Sequence, residues 1–252
     1  MFVFMVECTV IINIAYMEIL PQFDLDGQSL TDISRDDYYT KAKKEWAENG
    51  KILTAIGQIW VVIIDPKRGM LLQKKATNKK INPGLWDTTI GHIQASDTPE
   101  STCEKECYEE LQMAVKIVEK AKVGEYMENP DIKNQAYLAK IETKMHIIPK
   151  NYVGIGQIDF PVMLTIFFGY YSGECTFGDG EVEEVKYFSR EKLQDELNKK
   201  PGVFAPHATY LLEIWERCDP LLKQLDESEV TQELKDVVIE TSKINRSDLI
   251  NI

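Results

Sequence analysis

Three glutamates, Glu106, Glu109 and Glu110, stand at i, i+3 and i+4 within the segment EKECYEEL. If that segment is helical they project from one side, because residues three and four apart share a helix face. Like charges held together repel, and two arrangements answer the repulsion. One is a solvated acidic face, eased by a neighbour such as Lys105. The other is a divalent cation such as Mg²⁺, a hard ion that accepts several carboxylate oxygens at once. Spacing alone leaves both open.

A second cluster, Lys75, Lys79 and Lys80, precedes the Pro83-Gly84 turn signal in a chain whose formal net charge is −12. The charge balance repels polyanions, so a nucleic-acid partner is not expected. A local basic patch could still attract a small phosphorylated molecule; the alternative is a solvated β-turn. Trp86 could stack on a ring of such a molecule or pack in the core.

The elements that must position these groups are readable from periodicity. Residues 55–65 (AIGQIWVVIID) and 69–75 (GMLLQKK) predict a strand pair around the DPKRG turn. Residues 163–171 (MLTIFFGYY) and 181–188 (EVEEVKYF) flank the Gly/Asp-rich GECTFGDG and predict a second hairpin or looped pair. Asp97 or Thr98 can cap a helix that has Pro99 at its first position and carries the glutamates. Further helices are predicted over 190–198 and over 206–218, the latter ended by Asp219-Pro220. Val230, Leu234, Val237 and Val238 predict a helix in the tail. Residues 127–162 read as an inserted loop or hairpin, a lid or a dimer contact. Strands interleaved with helices in mixed order make the fold class α/β or α+β, a mixed sheet between helices. The expected division is an N-terminal extension over 1–50, a main domain over 51–222 and a helical tail over 223–252.

With 252 residues, 44% hydrophobic and 28% charged, the chain has the composition of a soluble globular protein. Five cysteines, at 8, 103, 107, 175 and 218, include no CxxC pair, so neither a zinc site nor a disulfide framework is indicated and a reducing cytoplasm is expected. The apolar opening, MFVFMVECTVIINIAY, is short for a membrane span, lacks a basic start and contains Glu7, so no targeting role is expected for it. It reads as an upstream start before Met17 or as an added strand.

The run GHIQASDTPESTCEKECYEELQM, 91–113, resembles the Nudix box, G-x5-E-x7-R-E-U-x-E-E-x-G-U with U aliphatic. Gly91, Glu106, Glu109 and Glu110 fall on the pattern with its spacing; Asp97, Lys105 and Gln112 depart from its Glu, Arg and second Gly, and Cys107 and Met113 fill aliphatic positions. Upstream, residues 71–93 (LLQKKATNKKINPGLWDTTIGHI) resemble the branch of this superfamily related to type I isopentenyl-diphosphate isomerase, as do SRDDYY near the start and, downstream, residues 179–185 and 187–189. The similarity runs from about residue 20 to about residue 215.

The resemblance implies a Nudix-type fold and attack of water on a phosphorus of a diphosphate, assisted by Mg²⁺, or Mn²⁺ as the alternative. It makes Glu106 and Glu110 the main metal ligands, Glu109 a further ligand or base, and Asp97 a ligand through water or only a helix cap. Lys75, Lys79 and Lys80 become phosphate contacts, Gly91 and His92 part of the site, and Glu181, with Glu184 behind it, a base from outside the box. The related isomerases carry a catalytic Cys before the GH pair and further histidine ligands; here Ile90 precedes Gly91-His92, and Tyr39 and Thr54 occupy the places of the others. Ile cannot donate a proton, so isomerisation is the least expected activity. The leading expectation is a hydrolase of a nucleoside diphosphate derivative or another small organic diphosphate, acting as a monomer or homodimer. The alternative is a regulatory binding module with a decayed box. Lys105 supplies charge without the fork of an Arg, and the missing glycine at Gln112 implies a relaxed turn at the helix end.

Overall fold

The computed structural model describes residues 17–178 and 180–224, with side chains up to Asp219. The expectations for the first sixteen residues and for the tail helix lie outside the described residues. From the N-terminus come three short strands, β1 (Ile19–Leu20), β2 (Gln22–Asp24) and β3 (Ile33–Ser34), then helix α1 (Arg35–Asn49). Ser34 caps α1 by accepting a hydrogen bond from the Asp37 backbone N–H, and Gly50 ends it in the left-handed conformation. The hairpin read around DPKRG is present as β4 (Thr54–Asp65) and β5 (Gly69–Lys75), followed by β6 (Trp86–Asp87) and β7 (Thr89–His92). Helix α2 (Pro99–Leu111) leads into β8 (Ala114–Val118). Two long strands, β9 (Gln135–Tyr152) and β10 (Gly156–Tyr170), precede β11 (Val182–Phe188), α3 (Arg190–Lys199) and α4 (Ala208–Gln224).

Among the described residues nine strands form one mixed sheet, its main path running β11-β5-β4-β10-β9-β8. Its hub is β4, every residue of which is buried. The strand is apolar on both faces because both are covered, as expected for a strand with a parallel partner. Ile59, Val61 and Ile63 meet Cys103, Cys107 and Leu111 of α2 on one face. Trp60, Val62 and Ile64 meet Leu193 of α3 and Leu211, Leu212 and Trp215 of α4 on the other. The alternation follows from the two-residue period of a strand, and the result is the expected mixed sheet between helices.

Three expectations are corrected. The segments 163–171 and 181–188 are not paired with each other. Both edges of β10 are taken, by β4 in parallel and by β9 antiparallel, so β11 crosses to pair with β5. Residues 127–162 are not an insertion: β9 and β10 are the hairpin half of that reading, lengthened into the body of the sheet. Helix α4 does not stop at Asp219-Pro220 but runs to Gln224. An internal proline costs a helix about 3 kcal/mol, and the apolar face that α4 buries, Leu211, Leu212, Ile214, Trp215 and Cys218, offsets it. No described helix is long and apolar enough to cross a membrane.

The end of α2 is also tighter than expected. Gln112 adopts φ 51° and ψ 34°, and its N–H reaches the carbonyls of Cys107 and Tyr108. The left-handed cap that glycine usually supplies is thus formed by a glutamine, which bears the Cβ strain that glycine avoids. Gln112→Gly should therefore stabilise the protein by about 1 kcal/mol, read as a higher urea midpoint. A lowered midpoint would show that the Gln112 Nε2 bond to the Tyr108 carbonyl outweighs the strain.

Candidate functional site

Helix α2 is fixed at its start by Thr98, not Asp97: the Thr98 hydroxyl accepts from the Ser101 N–H at 3.1 Å and Ser101 Oγ accepts from the Thr98 N–H at 3.0 Å. Thr102, Cys103, Cys107 and Leu111 bury one face of the helix. On the side toward the sheet, Glu106 and Glu110 lie one turn apart. Glu110 is 4% exposed, and its Oε2 accepts a 2.7 Å hydrogen bond from Gln73 Nε2 on β5. Glu109 is exposed beside them. Glu106 closes against β7 at Gly91, where a Cβ would stand 2.3 Å from Glu106 Cγ. Only a residue without a side chain permits that approach.

Burial first, then the like charge of Glu109, pushes the Glu106 carboxyl up to about 7. Burial pushes Glu110 up to about 8 against the opposing charge of Lys75, with Glu106 and Glu181 adding to the rise. A buried and a half-buried carboxylate one turn apart, the charge of Glu106 bearing on Glu110, are a donor set that a hard cation fits. Among the described residues no three His, Cys, Asp or Glu side chains gather into a closed cage. Mg²⁺ does not need one, since it commonly takes one or two carboxylates and completes its shell with water and phosphate oxygens.

The other expected residues divide. Lys75 is half-buried, and its charge acts on Glu110, Asp87, His92 and Lys150 alike. Lys79 is tied to Glu181 in an ion pair, while Lys80 is exposed. Asp97 accepts from Ser96 Oγ at 3.3 Å, and no hydrogen bond or ion pair joins it to Glu106 or Glu110. Trp86 is 9% exposed and packs edge-on against Phe188 at 5.4 Å between ring centres, which places it in the core. Lys105 is exposed, and its charge lowers the carboxyl of Glu106 without a forked contact. Thr54 bonds Gln22 at 3.2 Å and does not meet His92.

His92 sits in a polar chain instead. Its Nε2 lies 2.9 Å from Tyr39 Oη and 3.1 Å from Gln58 Nε2, and Gln58 Oε1 accepts from Lys150 Nζ at 2.9 Å. Burial, then the charges of Arg35, Lys150 and Lys75, holds the imidazole well below its usual pKa. His207 is buried against Asp87 at 2.8 Å and stacks on Trp60. Sequence reasoning missed Gln58, Gln73 and Lys150. The two glutamines carried a signal, each being a polar residue inside an apolar strand. Lys150 carried none, because PKN reads as a turn.

The family description of the NUDIX domain matches residues 57–208. No curated protein matches the chain. Among solved structures, DR0079 from Deinococcus radiodurans superposes with TM-score 0.53 at 10% identity, covering 78% of this chain and 98% of that one. The MutT protein from Methanosarcina mazei Go1 is similar at 17% identity with TM-score 0.44, over 66% of this chain and 94% of that one. The NUDIX domain of Shewanella oneidensis NrtR, solved with ADP ribose, shares 14% identity with TM-score 0.41, over 68% of this chain and 94% of that one. At these identities the DR0079 likeness shows the fold alone.

The cradle at Gly91 yields a direct test. Gly91→Ala should displace Glu106 and weaken Mg²⁺ binding about 10- to 100-fold, measured by titration calorimetry, with the far-ultraviolet dichroism unchanged. Unaltered Mg²⁺ affinity would separate Glu106 from the metal.

Proposed function

Because the chain belongs to the NUDIX domain family, we propose that it is a Mg²⁺-dependent hydrolase that cleaves the diphosphate bond of a nucleoside diphosphate derivative or another small organic diphosphate. The observation that supports this most is the pair Glu106 and Glu110, the first half-buried against Gly91 and the second buried against Gln73. A solvated acidic face would leave such groups exposed; these are drawn into the protein at an electrostatic cost that a cation and a phosphate relieve.

In this reading Glu106 and Glu110 hold the ion, and Mn²⁺ is the alternative occupant. When bound, Mg²⁺ neutralises phosphate oxygens and lowers the pKa of the attacking water. Gln73 engages Oε2 of Glu110 and so orients the carboxyl, leaving Oε1 for a further partner. Glu109, adjacent and exposed, is the candidate base. Glu181 is a second acid whose charge reaches both glutamates, and Lys79 holds it. Lys75, whose charge already bears on Glu110, supplies the positive counterpart for the phosphates.

The resemblance to the isomerase branch is read as descent, not activity. Ile90 packs against the core and offers no proton where an isomerase needs an acid. A regulatory binding role is the competing reading, favoured by Lys105, which makes no forked contact.

A panel of nucleoside and non-nucleoside diphosphates with Mg²⁺, followed by coupled phosphate release, separates these. At least one member should be hydrolysed, and Glu109→Gln and Glu110→Gln should each lower turnover at least about 100-fold. Turnover unchanged in both variants refutes the site, and tight binding without any turnover favours the regulatory role.

A further inference from the structure

Gln73 on β5 and Thr89 on β7 are polar side chains that the protein buries, at 2% and 3% exposure. A buried amide is held in place when both of its ends find partners. Gln73 Nε2 donates to Glu110 Oε2 at 2.7 Å, and Gln73 Oε1 accepts from Thr89 Oγ1 at 3.5 Å. The amide thus turns its nitrogen to the acid and its oxygen to the hydroxyl. Among the described residues no other side-chain hydrogen bond reaches Gln73. Three buried groups therefore stand in series, from β7 through β5 to α2.

The same strand serves both acids. Gly91 lets Glu106 close against β7, and Thr89 lies two residues earlier, on the same face of that strand. Two strand residues span about 6.7 Å, and the helix rises about 6 Å over the four residues from Glu106 to Glu110. The two supports on β7 are therefore spaced almost as the two acids are: bare backbone at Gly91 receives one, and Thr89 reaches the other through Gln73. We propose that Thr89 is a positioning residue, acting through Gln73 to hold the Glu110 carboxyl in register with Glu106 so that one divalent cation engages both. The inference rests on the metal-dependent reading above, and it gives a role in that site to a residue that precedes the glutamate motif.

Titration calorimetry of the full chain with Mg²⁺ alone tests this without a substrate. Gln73→Met, which keeps the length and removes the amide, should weaken Mg²⁺ binding about 10- to 100-fold. Thr89→Val, which keeps the shape and removes the hydroxyl, should weaken it about three- to tenfold, the worth of one neutral hydrogen bond. Thr89→Ser, which keeps the hydroxyl, should bind Mg²⁺ as the wild type does. In the Gln73→Met background Thr89→Val should have no further effect, because the path from Thr89 to Glu110 is already cut. A residue that only supports the fold would lower the melting temperature without this pattern of rescue and non-additivity. Losses that add independently, or a Thr89→Ser protein as weak as Thr89→Val, overturn the proposal. A Thr89→Val protein that fails to fold would make the hydroxyl structural and would also overturn it. Absence of Mg²⁺ binding by the wild-type protein refutes the metal reading and the inference with it; binding that Thr89→Val leaves unchanged refutes the role of Thr89 alone.

Discussion

Drawing Glu106 and Glu110 out of water is the constraint around which the rest of this structure is arranged. Two carboxylates one helical turn apart would ordinarily stay in water, where their interaction is weak. Here α2 lies on the sheet with both drawn inward, and the proton affinity of each carboxyl rises by more than about a hundredfold as a consequence. Holding them there takes rigid support. Thr98 and Ser101 fix one end of the helix, the Gln112 cap fixes the other, and Cys103, Cys107 and Leu111 press the face between them onto β4. Gly91 removes the one side chain that would forbid the approach.

The sheet supplies the counterweight. β4 pairs with β2, β5, β7 and β10, so groups from distant parts of the sequence reach one neighbourhood. β5 delivers Gln73 and Lys75, β7 delivers Gly91 and His92, and β9 folds back to deliver Lys150. Lys75 and Lys150 thus come from strands, and Glu106, Glu109 and Glu110 from α2. Net charge is strongly negative over the chain, yet the charge of Lys75 bears on Glu110 at this corner.

What the sequence made legible was whatever depends on local periodicity or on a spaced motif. The hub strand, the hairpin after it, α2 and its glutamates are of this kind, because burial on both faces and helical spacing are written in consecutive residues. Pairing between distant strands was not legible. Whether 181–188 joins β10 or β5 depends on which edges are already occupied, a fact about the assembled sheet. The proline in α4 misled for a related reason: a local helix breaker was judged without the apolar face that outweighs it. Gln112 misled in the opposite sense, since the missing glycine suggested a looser end where hydrogen bonds to Cys107 and Tyr108 impose the tight one. Lys150 was invisible because nothing near it in sequence foretells that it lies against Gln58.

That last contact has a consequence for His92. Gln58 turns its oxygen toward Lys150 and its amide hydrogens toward the imidazole. His92 Nε2 must then be an acceptor, a role it can fill only when the ring is neutral with its proton on Nδ1. Tyr39, whose own hydroxyl is held protonated by burial, approaches the same nitrogen at 2.9 Å and donates as well. The positive field of Arg35, Lys150 and Lys75 opposes a second proton on the ring. A histidine that sequence resemblance would offer as a metal ligand thus has its Nε2 lone pair already engaged from two directions. The polar chain from Lys150 to Tyr39 lies on the face of the sheet away from α2.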